Sequence, residues 1–432
     1  MLESPYRPGI GARPVVFAGR DQELDRTSRV LGGVAISGSA APAPVVFTGP
    51  RGVGKTVLLG VTRDQAHKHG FVTAHVVFDP AGGNHRALAW EVAQSANLKP
   101  GGRDIGRIRD RLAALSIEVD LGLVKMTSAA PGATQPAPAP ADRKHLAGLL
   151  VAAAEAAQNA GKIGLAVFID EIQEAPLDDL RTVMTALQDV IATPRAAVAI
   201  FVAGLPHTPE VLVDANSFAE RFDYRHLPPL HRDAAFRVLT EPALQLGVRW
   251  EPSAVDRVLT EAAGNPFLMQ KYGHEIWLTV QPTAGDVLRA DDADTGIRAA
   301  AEQLAGGMFR GRWRRATPAE QDLMIAMAAV ATPSGEVATS DVVAYTGKTT
   351  PQWSWLRRSL IDKGLIESGD HGQLRFTMPT FAAFIRDTTT TEWVGPHHTP
   401  RELHAPHPSE TPTQPALPSQ SAPPKQIGPP PV

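Results

Sequence analysis

The sequence predicts an α/β fold: a parallel sheet with helices on both faces, then a helical lid domain and a C-terminal winged helix-turn-helix. Three observations predict it. Short apolar, β-branched runs alternate with helical periodicity between residues 43 and 203, the pattern of βαβ units around a parallel sheet. A glycine-rich octapeptide follows the first of these runs directly, and a later run, residues 165–169, ends in an Asp-Glu pair.

In chain order, residues 1–14 are rich in Pro, Gly and Arg and read as a flexible, extended arm. A helix is expected over residues 21–31. Residues 43–48 (APVVFT) form the first buried strand, with a helix over 56–69, a second strand over 72–78 and a helix over 84–96. The segment 127–142 (TSAAPGATQPAPAPAD) is low-complexity Ala/Pro with too little apolar area to offset ordering entropy, so it is expected to be a mobile loop. A helix over 143–159 leads to the strands at 165–169 and 197–203. Beyond Pro206 apolar strand runs mostly stop, and helical patterns at 233–246, 252–263 and 267–280 follow. The expected division is an α/β domain over 15–206, a helical lid over 207–296 and a third domain over 297–387. A disordered tail, 388–432, is dominated by Pro, Thr, Ser, His and Gln.

Composition narrows the function. With 432 residues, 43% hydrophobic and 20% charged, the chain has ample material for buried cores. The net charge of −3 supplies no global field for nucleic acid, so any DNA contact needs a local basic patch. Absence of cysteine excludes disulfides, thiolate metal sites and cysteine nucleophiles, and fits a reducing cytoplasm. No apolar run approaches the ~20 residues of a membrane span, and the N-terminus lacks a signal-peptide core. A cytoplasmic protein with no membrane contact is expected.

The octapeptide Gly49-Pro50-Arg51-Gly52-Val53-Gly54-Lys55-Thr56 is a full G-x-x-x-x-G-K-T match, and Val57 continues into the helix. Its glycines let backbone N–H groups converge on an anion, and the helix behind adds its positive end. This marks the sheet as that of a P-loop NTPase. Lys55 is expected on the β- and γ-phosphates of ATP and Thr56 on Mg²⁺. Asp170 closes a buried strand, where ligands of open α/β sheets bind, and is the second expected Mg²⁺ residue. Glu171 is placed to polarise an attacking water; capping of the next helix is its plainer use. No Asn-Lys-x-Asp motif is present, which disfavours a GTPase.

The order Phe17-x-Gly19-Arg20-x-x-Glu23-Leu24, GPRGVGKT, FIDEIQE and Gly264-Asn265-Pro266-Phe267 resembles the origin-recognition/initiator-type AAA+ and STAND ATPases over roughly residues 15–387. The resemblance implies that the box with Gly19 and Arg20 cradles adenine and ribose, and that Pro266 belongs to the lid motif packed on the adenine. It also implies that Arg221 is a trans-acting arginine finger, which requires a homo-oligomer; a surface pairing with Glu220 or Asp223 is the alternative. The sequence departs from the family at Ala203-Gly204-Leu205-Pro206, where the usual polar sensor side chain is missing and His207 or Thr208 is expected to substitute. Slow hydrolysis follows.

Helical patterns at 318–330, 340–345 and 351–363, then a hairpin around Asp370-His371-Gly372, spell a winged helix. Trp353, Leu356 and Leu360 share a face and are expected in its core. Thr350, Ser354, Arg357 and Arg358 would line the opposite side, with Arg375 on the wing and Arg312, Arg314 and Arg315 as a nearby basic patch. Three readings stay open: an ATP-driven switch, a protein that holds ATP or ADP and docks a partner, and an oligomeric ATPase that remodels double-stranded DNA.

Overall fold

The computed structural model describes residues 2–9, 11–96, 103–115, 119–120, 123–124, 139, 141–332, 335–369, 372–378 and 380–391. Most of the Ala/Pro segment 127–142, the first two residues of the Asp370-His371-Gly372 turn and residues 392–432 of the expected tail lie outside them. No described helix is long and apolar enough to cross a membrane.

Five parallel strands form the central sheet: β1 (Val45–Thr48), β2 (Val72–Val77), β5 (Leu165–Asp170), β6 (Val198–Gly204) and β7 (Asp223–His226), in the order β2-β5-β6-β1-β7. Strand alternation sends one set of side chains to each face. Val167, Ile169, Val198, Ile200 and Val202 pack beneath α3 (Asn84–Ser95), α5 (Asp142–Asn159) and α6 (Leu177–Ala192). Phe47, Phe168 and Phe201 face α1 (Asp21–Ser37) and α2 (Lys55–Lys68), with Phe168 and Phe201 stacked at 5.3 Å. Gly164 marks how tightly β5 enters: a Cβ there would come within 2.2 Å of the Ala197 carbonyl oxygen. An α4 (Arg103–Ala114) and the two-residue strands β3 (Val119–Asp120) and β4 (Leu123–Val124) lie between α3 and α5.

The sheet does not end at Pro206. Helix α7 (Thr208–Ala215) and the turn Ser217–Arg221 lead to β7, which pairs along β1 from Val45–Asp223 to Thr48–His226. The expected boundary at 206/207 is therefore displaced. A polar edge strand, Asp-Tyr-Arg-His, gives no apolar run to read.

Next come α8 (Arg232–Gln245), β8 (Arg249–Trp250), α9 (Pro252–Ala262), α10 (Pro266–Val280), β9 (Val287–Leu288) and α11 (Ala290–Leu304). Helix α11 runs on through a π-helical turn, Ala305–Phe309, into α12 (Arg310–Arg315). Then follow α13 (Pro318–Val330), β10 (Glu336–Ala338), α14 (Thr339–Thr346), α15 (Thr350–Asp362), β11 (Ile366–Ser368), β12 (Gln373–Phe376) and α16 (Thr380–Thr391). The last three strands form an antiparallel sheet ordered β10-β12-β11. Trp353, Leu356 and Leu360 are buried, as their spacing requires. The tail begins later than expected, since residues 388–391 complete α16.

Two further expectations are corrected. The boundary at 296/297 falls inside α11, and one buried cluster runs without a break from Tyr6 through Leu259 and Trp277 to Phe381 and Ile385. The arm is docked rather than free. Tyr6 is 2% exposed, its hydroxyl donates to the Leu239 carbonyl at 2.6 Å, and Trp250 Nε1 donates to it at 3.0 Å. Trp277 Nε1 donates to the Leu2 carbonyl at 3.1 Å, and the Arg7 amide donates to Gln270 Oε1 at 2.9 Å. Pro and Gly suggested disorder, but one aromatic anchor outweighs them.

Tyr6→Ala is expected to destabilise the protein by about 3–5 kcal/mol, the cost of emptying a buried aromatic site. Denaturant unfolding measures it; a loss below about 0.5 kcal/mol would restore the free arm.

Candidate nucleotide-binding site

The octapeptide links β1 to α2 as a loop held in shape by its own lysine. Gly52 and Gly54 adopt φ of 85° and 95°, which L side chains rarely adopt, and Gly54 caps α2. Lys55 Nζ donates to the Gly49 and Pro50 carbonyls at 2.8 and 2.9 Å. Burial pushes its ammonium down to about 8, against the opposing pull of Glu171 and Asp170. The loop is also clipped from outside. The Phe267 amide donates to Gly52 O at 3.2 Å, and a Cβ on Gly52 would stand 3.0 Å from Asn265 Oδ1. Asn265 itself caps α10 through the Leu268 amide at 3.2 Å.

The β5 carboxylates meet the loop at α2. Asp170 is 2% exposed; burial raises its carboxyl, and a hydrogen bond from the Thr56 hydroxyl works the other way. The two oxygens suit one hard cation whose remaining ligands come from phosphate and water. Among the described residues no group of three or more His, Cys, Asp or Glu could hold a metal by itself. Glu171 occupies the left-handed region, φ 49° and ψ 40°, its amide donating to Asp170 Oδ1 at 2.9 Å. A non-glycine residue held there at the sheet's ligand edge is characteristic of functional sites.

A cavity of about 330 Å³ opens at this edge. Arg20, Arg51, Gly52, Val53, Gly54, Lys55, Thr56, Val57, Glu171 and Pro266 line it. Gly19, Gly49, Pro50 and Asp170 do not line it directly. Gly19 packs on another element, where a Cβ would come 2.7 Å from that of Ala234. Arg20 is spent on structure: it donates to the Val53 and Pro228 carbonyls at 3.1 and 2.8 Å, and burial lowers its guanidinium. Phe17, Ala18 and the arm residues Gly9, Gly11 and Ala12 complete that side.

Arg221 is exposed at the end of its 3-10 turn and lies outside the cavity wall of its own chain. Asp223, one of its expected local partners, is engaged by Arg26 at 2.5 Å and Arg225 at 2.8 Å.

Sequence reading missed two residues. Gln173 bridges the carboxylate and the end of β6: Nε2 donates to Glu171 Oε2 at 2.7 Å, and Oε1 accepts from the Leu205 amide at 3.1 Å and the Thr208 hydroxyl at 3.4 Å. A polar side chain thus reaches the end of β6 from two residues after Glu171, although it does not line the cavity. Thr208 belongs to this bridge, while His207 Nδ1 is buried without a hydrogen-bond partner. The second residue is Arg312, expected in a basic patch with Arg314 and Arg315. It is 7% exposed and lines the cavity with Met308 and Met378.

The expected DNA-facing arginines are also redistributed. Arg358 pairs with Glu210 of α7 at 3.5 Å and with Asp362 at 3.4 Å. Arg375 pairs with Glu367, in a cleft shared with Pro50 and Asn265. Arg314 and Arg315 are exposed, and Arg357 is half-buried. Trp313 is packed, 8% exposed.

Residues 16–200 match the family described as AAA ATPase domain, and residues 306–385 match a Domain of unknown function (DUF8462). The fold is similar to that of a Walker-type ATPase of Pyrococcus abyssi, with a TM-score of 0.57 and 14% identity over 89% of this chain and 99% of that one. It is also similar to the ORC2 protein of Aeropyrum pernix in its ADPNP-ADP complexes, with a TM-score of 0.54 and 13% identity over 89% and 98% of the two chains. No curated protein matches the sequence. Residues 16–200 thus match an AAA ATPase domain, and the chain shares the overall fold of these P-loop ATPases.

In the nucleotide-free protein Lys55 loses its proton near pH 8, and a phosphate beside it would hold that proton on. Binding above this pH therefore takes up a proton. ATP affinity is expected to be level around pH 7 and to fall above about pH 8, toward tenfold per unit. Calorimetry across that range tests it; a flat profile to about pH 9.5 would show that Lys55 keeps its proton in the nucleotide-free protein.

Proposed function

We propose that the protein is a slow, Mg²⁺-dependent ATPase that works as a switch. Bound nucleotide would set how residues 297–387, acting as a winged helix, pack on the sheet. One observation carries this reading: the cavity wall is built from both ends of the chain, the phosphate loop on one side and Met308, Arg312 and Met378 on the other. A ligand that fills the cavity touches both.

The chemistry follows from the residues. Lys55 is released from the Gly49 and Pro50 carbonyls to meet the β- and γ-phosphates. Thr56 and Asp170 would hold Mg²⁺, which supplies charge neutralisation across the phosphate oxygens. Glu171 orients a water and takes its proton as the water oxygen bonds to the γ-phosphorus and the bond to the β-phosphate oxygen breaks. Gln173 holds the Glu171 carboxylate and ties it to the end of β6. Turnover is slow because β6 presents no polar side chain of its own to the reacting phosphate. Arg221, exposed and outside this cavity, would serve a neighbouring copy if the protein assembles.

The helix and wing arginines of this segment are paired within the chain, the exposed Arg358 with Glu210 and Asp362 and the half-buried Arg375 with Glu367. Breaking these pairs would free both guanidinium groups for a partner, and duplex DNA fits their charge. A protein partner is the reading if the nucleotide-bound form fails to bind duplex at low salt.

Glu171→Gln is expected to keep Mg-ATP affinity within about twofold while lowering turnover about 100-fold or more. Single-turnover hydrolysis with calorimetry checks both; unchanged turnover would remove Glu171 from the chemistry.

A further inference from the structure

The cavity wall carries one neutral donor that no described residue satisfies. Gln270 belongs to α10, is 7% exposed and lines the cavity. Its Oε1 accepts from the Arg7 amide at 2.9 Å, while Nε2 is buried with no hydrogen-bond partner. A backbone N–H can only donate, so the contact with Arg7 decides which end of the carboxamide is oxygen. The free end is therefore a donor. Leaving such a group buried and unmatched is costly, and a ligand that brings an acceptor removes the cost.

Local structure holds Gln270 in this pose. Helix α10 starts against the phosphate loop, where the Phe267 amide donates to Gly52 O. Pro266 and Gln270, four apart, share the helix face that lines the cavity, with Gln270 the farther from the loop. Gly273 lets the arm approach: a Cβ there would come 2.7 Å from the Tyr6 ring. The Tyr6 anchor thereby sets the next residue, Arg7, over the Gln270 carboxamide. Pro8, Val16, Phe17, Leu230 and Val238 line the same cavity. An apolar wall with one or two placed polar groups is how proteins select a flat ligand.

The chemistry of the wall separates the purines. Phosphates take the loop end, so the base takes the remainder. Adenine offers ring nitrogens as acceptors, which a carboxamide N–H matches. Guanine adds N1–H and a 2-amino group, two donors that themselves need acceptors. Among the lining side chains the only carboxylate is Glu171, which belongs to the phosphate end. Gln270 Oε1 is already occupied by Arg7.

We infer that Gln270 reads a ring nitrogen of adenine through Nε2 and disfavours guanine, while the same carboxamide holds the docked arm through Oε1. The inference rests on the ATP-site reading above and gives that site its base selectivity. Base and arm share one planar group, so occupancy of one end strengthens the hydrogen bond at the other.

The test uses the full chain with Mg²⁺ and ADP, GDP or the 1-deaza, 3-deaza and 7-deaza analogues of ADP, with affinities from calorimetry. Gln270→Glu and Gln270→Met are compared with wild type and Lys55→Ala. Gln270→Glu keeps an acceptor for Arg7 and removes only the donor, so it separates base reading from support of the arm. Wild type is expected to bind ADP at least about tenfold tighter than GDP. Gln270→Glu should weaken ADP about tenfold and leave GDP within about threefold or improve it, since its carboxylate accepts from guanine. One deaza analogue should lose about tenfold on wild type and bind Gln270→Met as ADP does, the non-additivity of a direct contact. Should Gln270→Met fail to fold, Gln270→Glu is read against the same analogue. Equal weakening of ADP and GDP by Gln270→Glu, or full affinity for all three deaza analogues, overturns the inference when Lys55→Ala loses both nucleotides. If Lys55→Ala binds ADP as wild type does, the ATP-site reading itself has failed.

Discussion

Positive charge gathered at one cavity organises this molecule. Lys55 and Arg312, both buried, and Arg51, half-buried and 3.5 Å from Glu174 Oε1, reach it from two distant stretches of chain. Lys55 is held by two carbonyls of its own loop, a poor substitute for a phosphate. The sheet order places the end of β1 beside β6 and one strand from β5, so loop, Thr56, Asp170 and Glu171 meet at one edge. A polyanion completes that charge pattern, and a neutral ligand would leave it unsatisfied.

The second feature is continuity. A single buried cluster joins the arm, the helices after β7 and the C-terminal helices and strands. Phe376 and Thr377 also border Pro50 and Val53 on the outer side of the phosphate loop. Packing of this density transmits displacement rather than absorbing it. On the proposed switch, three small contacts would carry the coupling: Arg312 in the cavity, Arg358 on Glu210, and the β11–β12 hairpin bordering the loop. Gln173 adds a fourth link, from Glu171 to the start of α7, the helix that bears Glu210.

Much of the fold was legible because its signals are local. The strands at 45–48, 165–170 and 198–204 are buried on both faces and read as unbroken apolar runs, and the phosphate loop is a spacing of residue types. The Trp353, Leu356 and Leu360 stripe was legible for the same reason. What escaped depends on distant partners. Strand β7 is polar and half-exposed and exists because β1 offers it an edge. Tyr6 is one aromatic residue in a Pro-Gly stretch, and its site is assembled from Leu239, Trp250 and Trp277. Arg312 sits among three other arginines in Arg310–Arg315, where sequence gives no means to separate the buried one from the exposed ones. Gly306-Gly307 beside it was the available sign of a helix irregularity. Gln173 was visible only as a neighbour of the Asp-Glu pair, since its partners at Leu205 and Thr208 come from another strand end.

Central to this account is that a triphosphate joins the phosphate loop to the C-terminal segment across one cavity. Amide hydrogen exchange of the full chain, with no nucleotide, with ADP and with ADPNP, tests this most directly. The account predicts that both nucleotides slow exchange in residues 49–57. Only ADPNP should also slow it in residues 305–315, while exposing amides where α15 meets α7. Protection confined to residues 49–57 with both nucleotides would contradict it, because the C-terminal wall would then be scaffold and not part of the nucleotide's site.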